Sequence, residues 1–262
     1  MSESPDSTAR PVALVTGSGA PRVGRAVAAE LAERGYAVVV HAHRSADAAQ
    51  EFVDELNTAG HPALAVTANV AREDQVRQMV EQTLAHFGRI DALVNCAAIW
   101  EPKPLEQVSA DDVRRHFDIN TLGTFLCCQQ VGLHMVAQET GGAIVNVGDW
   151  AIVRTYRDYA GYFPSKGAIP TLTRNLAVEL GIRNPRVRVN AILPGPVMLP
   201  DDMPQEERDE VIAETLVKRE GSPENVAHAV AFLLENDFVT GACIPVDGGR
   251  TVYAPQSVEY RS

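Results

Sequence analysis

The feature that most constrains this chain is a regular alternation of short apolar runs with longer segments of helical periodicity. The runs are Pro11–Thr16, Ala37–His41, Ala63–Thr67, Asp91–Asn95, Ala143–Val147, Val187–Leu193 and Cys243–Val246. They are rich in Val, Ala, Ile and Leu and lack the alternation of a strand with one wet face, so they read as strands covered on both sides. Between them, apolar residues recur at helical spacing over Val23–Arg34, Asp47–Thr58, Glu73–Phe87, Ala110–Gln138, Tyr159–Gly181 and Pro223–Glu235. Strand followed by helix, repeated, predicts an α/β fold built on an open, doubly wound parallel sheet.

With 262 residues, 45% apolar and 22% charged, the chain is long enough to bury one large core and needs no second domain. One domain is expected over 11–254, after a disordered leader at 1–10 and before a tail at 255–262. The polar stretch Leu199–Glu220 breaks the alternation and is expected to form a small lid, about 197–220, over the carboxyl ends of the strands. A net charge of −11 argues against a nucleic-acid-binding surface. No apolar stretch is long enough for a membrane span and Ser2–Arg10 has no apolar signal core, so a cytoplasmic protein is expected. Cys96, Cys127, Cys128 and Cys243 lie in apolar runs without metal-ligand spacing, so reduced thiols and no metal site are expected.

The turn after the first strand reads Thr16-Gly17-Ser18-Gly19-Ala20-Pro21-Arg22-Val23-Gly24. Glycines at a strand-to-helix turn let the backbone approach a pyrophosphate at the positive helix end, the arrangement of a Rossmann-like dinucleotide site. The second strand ends in His41-Ala42-His43-Arg44-Ser45, with no carboxylate before Asp47. A carboxylate there would bind a ribose 2′-hydroxyl, whereas Arg44 suits a 2′-phosphate, so NADPH is favoured over NADH. A solvated basic loop is the plainer reading of the same residues.

Tyr162 and Lys166 stand four residues apart at the start of a helical pattern, which puts a phenol and an ammonium on one helix face. A nearby ammonium favours the phenolate and would bring the phenol towards a useful proton-donor pKa. Asn95, Asn120 and Asp149 fall at strand ends or in the helix between them, where they line the same crevice or, as plain structure, cap helices and close turns.

Together these residues resemble the short-chain dehydrogenase/reductase family from about Pro11 to Arg250. The motifs that carry the likeness are the Thr16-Gly17 turn, Asn95-Cys96-Ala97-Ala98, Asn120, Tyr162 with Lys166, Pro194-Gly195 and Asp247-Gly248-Gly249. The resemblance implies that Tyr162 is the general acid, that Lys166 holds the nicotinamide ribose and tunes Tyr162, and that Asn120 supports a proton-relay water. It also implies a cofactor site made by Gly17, Ser18, Arg22, Val23, Gly24, His43, Arg44, Ser45, Asn69, Val70, Asn95, Ala97, Pro194 and Gly195, and assembly as a homotetramer.

Most of that family carry a serine about a dozen residues before the tyrosine; here the position is Asp149. A carboxylate about 4 Å from a developing alkoxide costs about 4 kcal/mol at an effective dielectric near 20, so a simple ketone is disfavoured and a ring rich in N–H groups is favoured. Asp149, Arg22, His43-Arg44-Ser45, Trp100 and Asp201-Asp202-Met203-Pro204 look like the pteridine reductase branch. That likeness implies a flat pterin stacked on Trp100, with Arg22, Asp149, Tyr162 and Leu199 around it. Dihydropterin, and with it dihydrofolate, is then the expected substrate. A carbonyl reductase of the same fold and a nonenzymatic NADPH-binding regulator are the competing readings. Three departures mark the chain: a glycine turn one residue longer than usual, Cys96-Ala97-Ala98 after Asn95, and Asn69 where the family commonly has an aspartate.

Overall fold

A computed structural model describes residues 10–253. The expected leader and tail therefore lie outside the described residues, apart from Arg10, whose guanidinium donates to the Gly60 carbonyl at 3.3 Å. The strands are β1 Val12–Thr16, β2 Ala37–Ala42, β3 Ala63–Thr67, β4 Ala92–Asn95, β5 Gly142–Val147, β6 Val187–Pro194 and β7 Cys243–Val246. They pair in parallel in the order β3-β2-β1-β4-β5-β6-β7. The helices are α1 Val23–Glu33, α2 Ala46–Thr58, α3 Glu73–Phe87, α4 Ala110–His116, α5 Gly123–Ala137, α6 Tyr162–Gly181, α7 Gln205–Ala213 and α8 Pro223–Glu235.

The period-two geometry of a strand explains why the runs are apolar throughout. Ala13 and Val15 of β1, with Val38 and Val40 of β2, point to one face, where α1, α2 and α8 supply Leu31, Phe52 and Leu233. Val12, Leu14, Ala37 and Val39 point to the other, beneath Met79 of α3, Met135 of α5 and Leu180 of α6. Most strand positions are therefore apolar, and the buried polar ones, Thr16, His41, Asn95, Asn146 and Asn190, are each hydrogen-bonded.

Two departures from the sequence pattern bear on function. The single helix expected over Ala110–Gln138 is interrupted at Phe117–Leu122 by a wider π-type turn containing Asn120. In the expected lid, α7 has no fully buried residue, only Arg208, Val211 and Ile212 half-buried; Arg208 pairs with Glu220 at 2.6 Å, and Glu214, just past the helix, pairs with Arg250. No helix among the described residues is long and apolar enough to cross a membrane. Among them, all four cysteines are free and no cluster of metal ligands occurs.

Candidate active site

Chain order reverses between β1 and β4, which opens a crevice at the carboxyl ends of these strands. The turns after β1, β2, β3, β4, β5 and β6 carry most of the residues singled out in the sequence. Gly17 has φ +68°, and a Cβ there would lie 2.8 Å from the Ala97 Cα. Gly24 packs as closely, since its Cβ would lie 2.5 Å from the Gly17 carbonyl oxygen. α1 starts without a side-chain cap and with no acidic residue in its first turn, so its N–H groups and positive end face the crevice uncompensated. These features fit a dinucleotide pyrophosphate. Arg22, which precedes α1, is exposed beside them, and Val23 opens the helix.

At the end of β2, His43 and Arg44 are exposed, and Arg44 has no ion-pair partner among the described residues. Ser45 precedes α2, whose first-turn carboxylate is Asp47. A cationic strand end without a carboxylate fits a 2′-phosphate. After β3, Asn69 is occupied locally: its Oδ1 accepts from the Ala71 N–H at 3.0 Å and its own N–H donates to Gln75. Val70 is buried against Gly123. After β4, the Ala97 N–H donates to Thr16 Oγ1 at 3.1 Å, which ties this turn to the glycine turn. The Gly195 N–H, at the end of β6, donates to the Val246 carbonyl at 3.0 Å.

Two members of this set are placed differently from what their position implies. Ser18 is fully buried; its hydroxyl donates to the Val15 carbonyl at 2.7 Å and accepts from the His41 N–H, so it braces the turn from within. Asn95 points into the core, where its Nδ2 donates to Asn146 Oδ1 at 2.9 Å and contacts Cys128 Sγ.

His41 is the residue that sequence reasoning passed over. It is 1% exposed, its Nδ1 accepts the Gly17 N–H at 3.0 Å, and its Nε2 lies 2.9 Å from the Ala68 carbonyl. This fixes a neutral ring with the proton on Nε2, joining the turns after β1, β2 and β3. Burial pushes its pKa down to about 4. The unfolded chain holds this proton from about pH 6.5 downward and the folded chain only below about 4, so folding stability falls by about 3 kcal/mol as pH drops through that window. Denaturant titrations of the wild type and His41→Gln between pH 7 and pH 4 check this: the variant should lose about that much of the pH dependence. Equal slopes would contradict it.

The reacting groups meet on the other side of the crevice. Tyr162 and Lys166 occupy the first turns of α6, both buried. The Tyr162 hydroxyl donates to Asp149 Oδ2 at 2.7 Å, and Asp149 Oδ1 accepts from the Ala151 N–H at 2.7 Å, capping a short 3-10 turn at Trp150–Ile152. Lys166 Nζ donates to the Val147 carbonyl at 2.8 Å. Burial and the Asp149 charge push the Tyr162 phenol well above its ordinary range, the reverse of the lowering expected from Lys166. Burial raises the Asp149 carboxyl, although the Tyr162 hydrogen bond opposes it, and burial lowers the Lys166 ammonium.

Asn120 has a bracing role. Its Oδ1 accepts from the Ile99 N–H at 2.8 Å, and its Nδ2 donates to the Ile99 carbonyl and to Ser165 Oγ, each at 3.0 Å. The π-type turn thereby locks the segment after β4 to α6, beside Tyr162 and Lys166, and leaves the amide no spare donor for a relay water. Trp100 is 43% exposed and stacks on Tyr159 with ring centroids 5.0 Å apart. Leu199 precedes α7, its N–H bonded to Glu220 at 3.0 Å.

A family model described as Enoyl-(Acyl carrier protein) reductase matches residues 20–251. The (2S)-[(R)-hydroxy(phenyl)methyl]succinyl-CoA dehydrogenase subunit BbsD of Thauera aromatica is 36% identical over 93% of this chain and 97% of its own length. The 3-oxoacyl-[acyl-carrier-protein] reductase FabG of Staphylococcus epidermidis is 34% identical over 90% of this chain and 97% of its own. Cis-4-hydroxycyclohexanecarboxylate dehydrogenase of Sinomonas cyclohexanicum is 38% identical over 94% of this chain and 98% of its own. With its parallel sheet, glycine turn and paired Tyr162 and Lys166, the chain belongs to the short-chain dehydrogenase/reductase family of nicotinamide-dependent oxidoreductases.

Proposed function

We propose that this oxidoreductase reduces a pterin with NADPH, taking dihydropterin to tetrahydropterin and accepting dihydrofolate as well. The observation that carries the reading is the 2.7 Å hydrogen bond from the Tyr162 hydroxyl to Asp149 at the position where the family usually has serine. Bound NADPH supplies the hydride. Tyr162, a phenol at neutral pH, donates the proton; burial and the Asp149 charge hold its pKa up, so the donation draws on the charge that the ring gains with the hydride. Asp149 holds the Tyr162 hydroxyl until it swings its proton to the substrate, and accepts from the amino and ring N–H groups of the pterin. Lys166, one helical turn after Tyr162, places a positive charge on the same face. The Trp100 and Tyr159 pair forms a flat aromatic wall suited to a planar ring.

The names of the relatives favour a second reading. FabG is a 3-oxoacyl-[acyl-carrier-protein] reductase, so reduction of a carbonyl on this fold is the competing chemistry. Dihydrobiopterin, dihydromonapterin, dihydrofolate and an acetoacetyl thioester assayed for loss of NADPH absorbance separate the two. Pterin turnover supports the proposal, and ketone turnover without any pterin turnover overturns it.

The cofactor preference has its own test. Arg44→Ala should weaken NADPH binding roughly tenfold, about 1.4 kcal/mol for an exposed charge-assisted contact, and leave NADH binding unchanged. Equal effects on both cofactors, measured by fluorescence titration, would remove Arg44 from the 2′-phosphate site.

A further inference from the structure

The turn that carries Asp149 is tied to the lid through one side chain. The Arg250 guanidinium lies over the Trp150 ring, 4.5 Å from its centroid, and Trp150 is the residue that directly follows Asp149. The same guanidinium donates to Glu214 through Nε at 3.1 Å and through Nη2. Glu214 is the C-cap of α7, the helix with no buried residue of its own. Arg250 is itself well fixed: Arg154 donates to its carbonyl at 3.1 Å, and the Asp247 carboxylate accepts from the Gly249 and Thr251 N–H groups on either side of it. Its side chain is 13% exposed, against 37% for Glu214.

The planar guanidinium therefore has an aromatic ring on one face and a carboxylate at its edge, which uses both recognition modes of arginine at once. Next to it, the Leu216 N–H donates to the Gly248 carbonyl at 2.8 Å, which ties the segment after α7 to the segment after β7. A helix with no fully buried residue depends on its few side-chain contacts for its position, and this contact is shared with the turn that Asp149 caps.

We infer that Arg250 is a positioning residue that couples the seating of α7 to the orientation of Asp149, with Trp150 as the intermediate. It touches neither Tyr162 nor Asp149, and it acts by holding the 3-10 turn that Asp149 caps. The inference rests on the Asp149–Tyr162 arrangement and not on which ring is reduced.

The test is hydrogen exchange at the Ala151 amide, whose N–H is held by Asp149, in the full chain with NADPH bound. Glu214→Ala changes a residue that pairs with Arg250 and, among the described residues, makes no hydrogen bond to the Trp150–Ile152 turn. It should speed Ala151 exchange about tenfold and raise the substrate KM by about as much, with NADPH affinity held within about twofold. Arg250→Ala should do the same, and the double variant should do no more than either single one. Arg250→Lys, which keeps the ion pair but loses the planar stack, should retain Tm without restoring slow exchange. Unchanged Ala151 exchange in Glu214→Ala, multiplicative effects in the double variant, or a parallel loss of NADPH affinity would each overturn the coupling. If Arg250→Ala fails to fold, Glu214→Gln decides the question alone, because it alters a half-exposed lid residue. Should the wild type reduce no pterin, the substrate reading falls and the exchange result still decides Arg250.

Discussion

Tyr162→Phe is expected to lower kcat by about 10³-fold, within the range that a positioned general acid contributes. The ring is buried and Phe keeps its packing, so the change removes the hydroxyl and little else. Lys166 keeps its bond to the Val147 carbonyl, so NADPH affinity should hold. Asp149 loses the hydrogen bond that opposes its burial, and its carboxyl should therefore move further up. Single-turnover kinetics with saturating NADPH separate the step from binding. Turnover within about tenfold of wild type would remove Tyr162 as the proton donor.

The second large effect belongs to Asp149. Asp149→Ser keeps a residue able to cap the Trp150–Ile152 turn, so the local fold should survive where Asp149→Ala would also lose the cap. The variant loses the charged acceptor for the Tyr162 hydroxyl and for the pterin N–H groups. Charge-assisted hydrogen bonds of this kind contribute about 1.5 to 3 kcal/mol each, so losing one should lower kcat/KM for dihydropterin by about 10- to 150-fold. For a ketone the sign reverses: the carboxylate that repels a developing oxyanion is replaced by a neutral donor, and kcat/KM should rise. Steady-state kinetics on both substrate types read the two signs in one protein. The wild type should also lose activity on the acid side at a higher pH than an ordinary aspartate would impose, because burial raises the carboxyl that has to stay ionised.

How much of this was legible in the sequence depends on whether a residue acts through its neighbours in the chain or in space. The strands were readable because burial on both faces favours apolar residues at successive positions, as in Val12–Val15. The crevice followed from placing polar residues after those strands, and Tyr162 and Lys166 share a helix face by spacing alone. The π-type turn was not readable, since apolar periodicity runs through Phe117–Leu122 with little change while the hydrogen bonds of Asn120 are made to Ile99 and Ser165. His41 looked like the first residue of a basic loop, and its role depends on Gly17 and Ala68, which are distant in sequence. A polar residue closing the run Val38-Val39-Val40 was the available signal. The inward hydroxyl of Ser18 and the Asn95, Asn146 and Thr173 chain under the site are likewise products of packing. Arg250 lay just past the Asp247-Gly248-Gly249 motif, and nothing in its local sequence pointed to Trp150 or Glu214.

The central claim is that Asp149 makes this a pterin site on a fold whose named relatives include a 3-oxoacyl reductase. The measurement that tests it most directly is the ratio of kcat/KM for dihydrobiopterin to that for an acetoacetyl thioester, taken with NADPH in the wild type and in Asp149→Ser. The ratio should lie well above one in the wild type and fall by about tenfold or more in the variant. A wild-type ratio below one that the substitution leaves unchanged would contradict it.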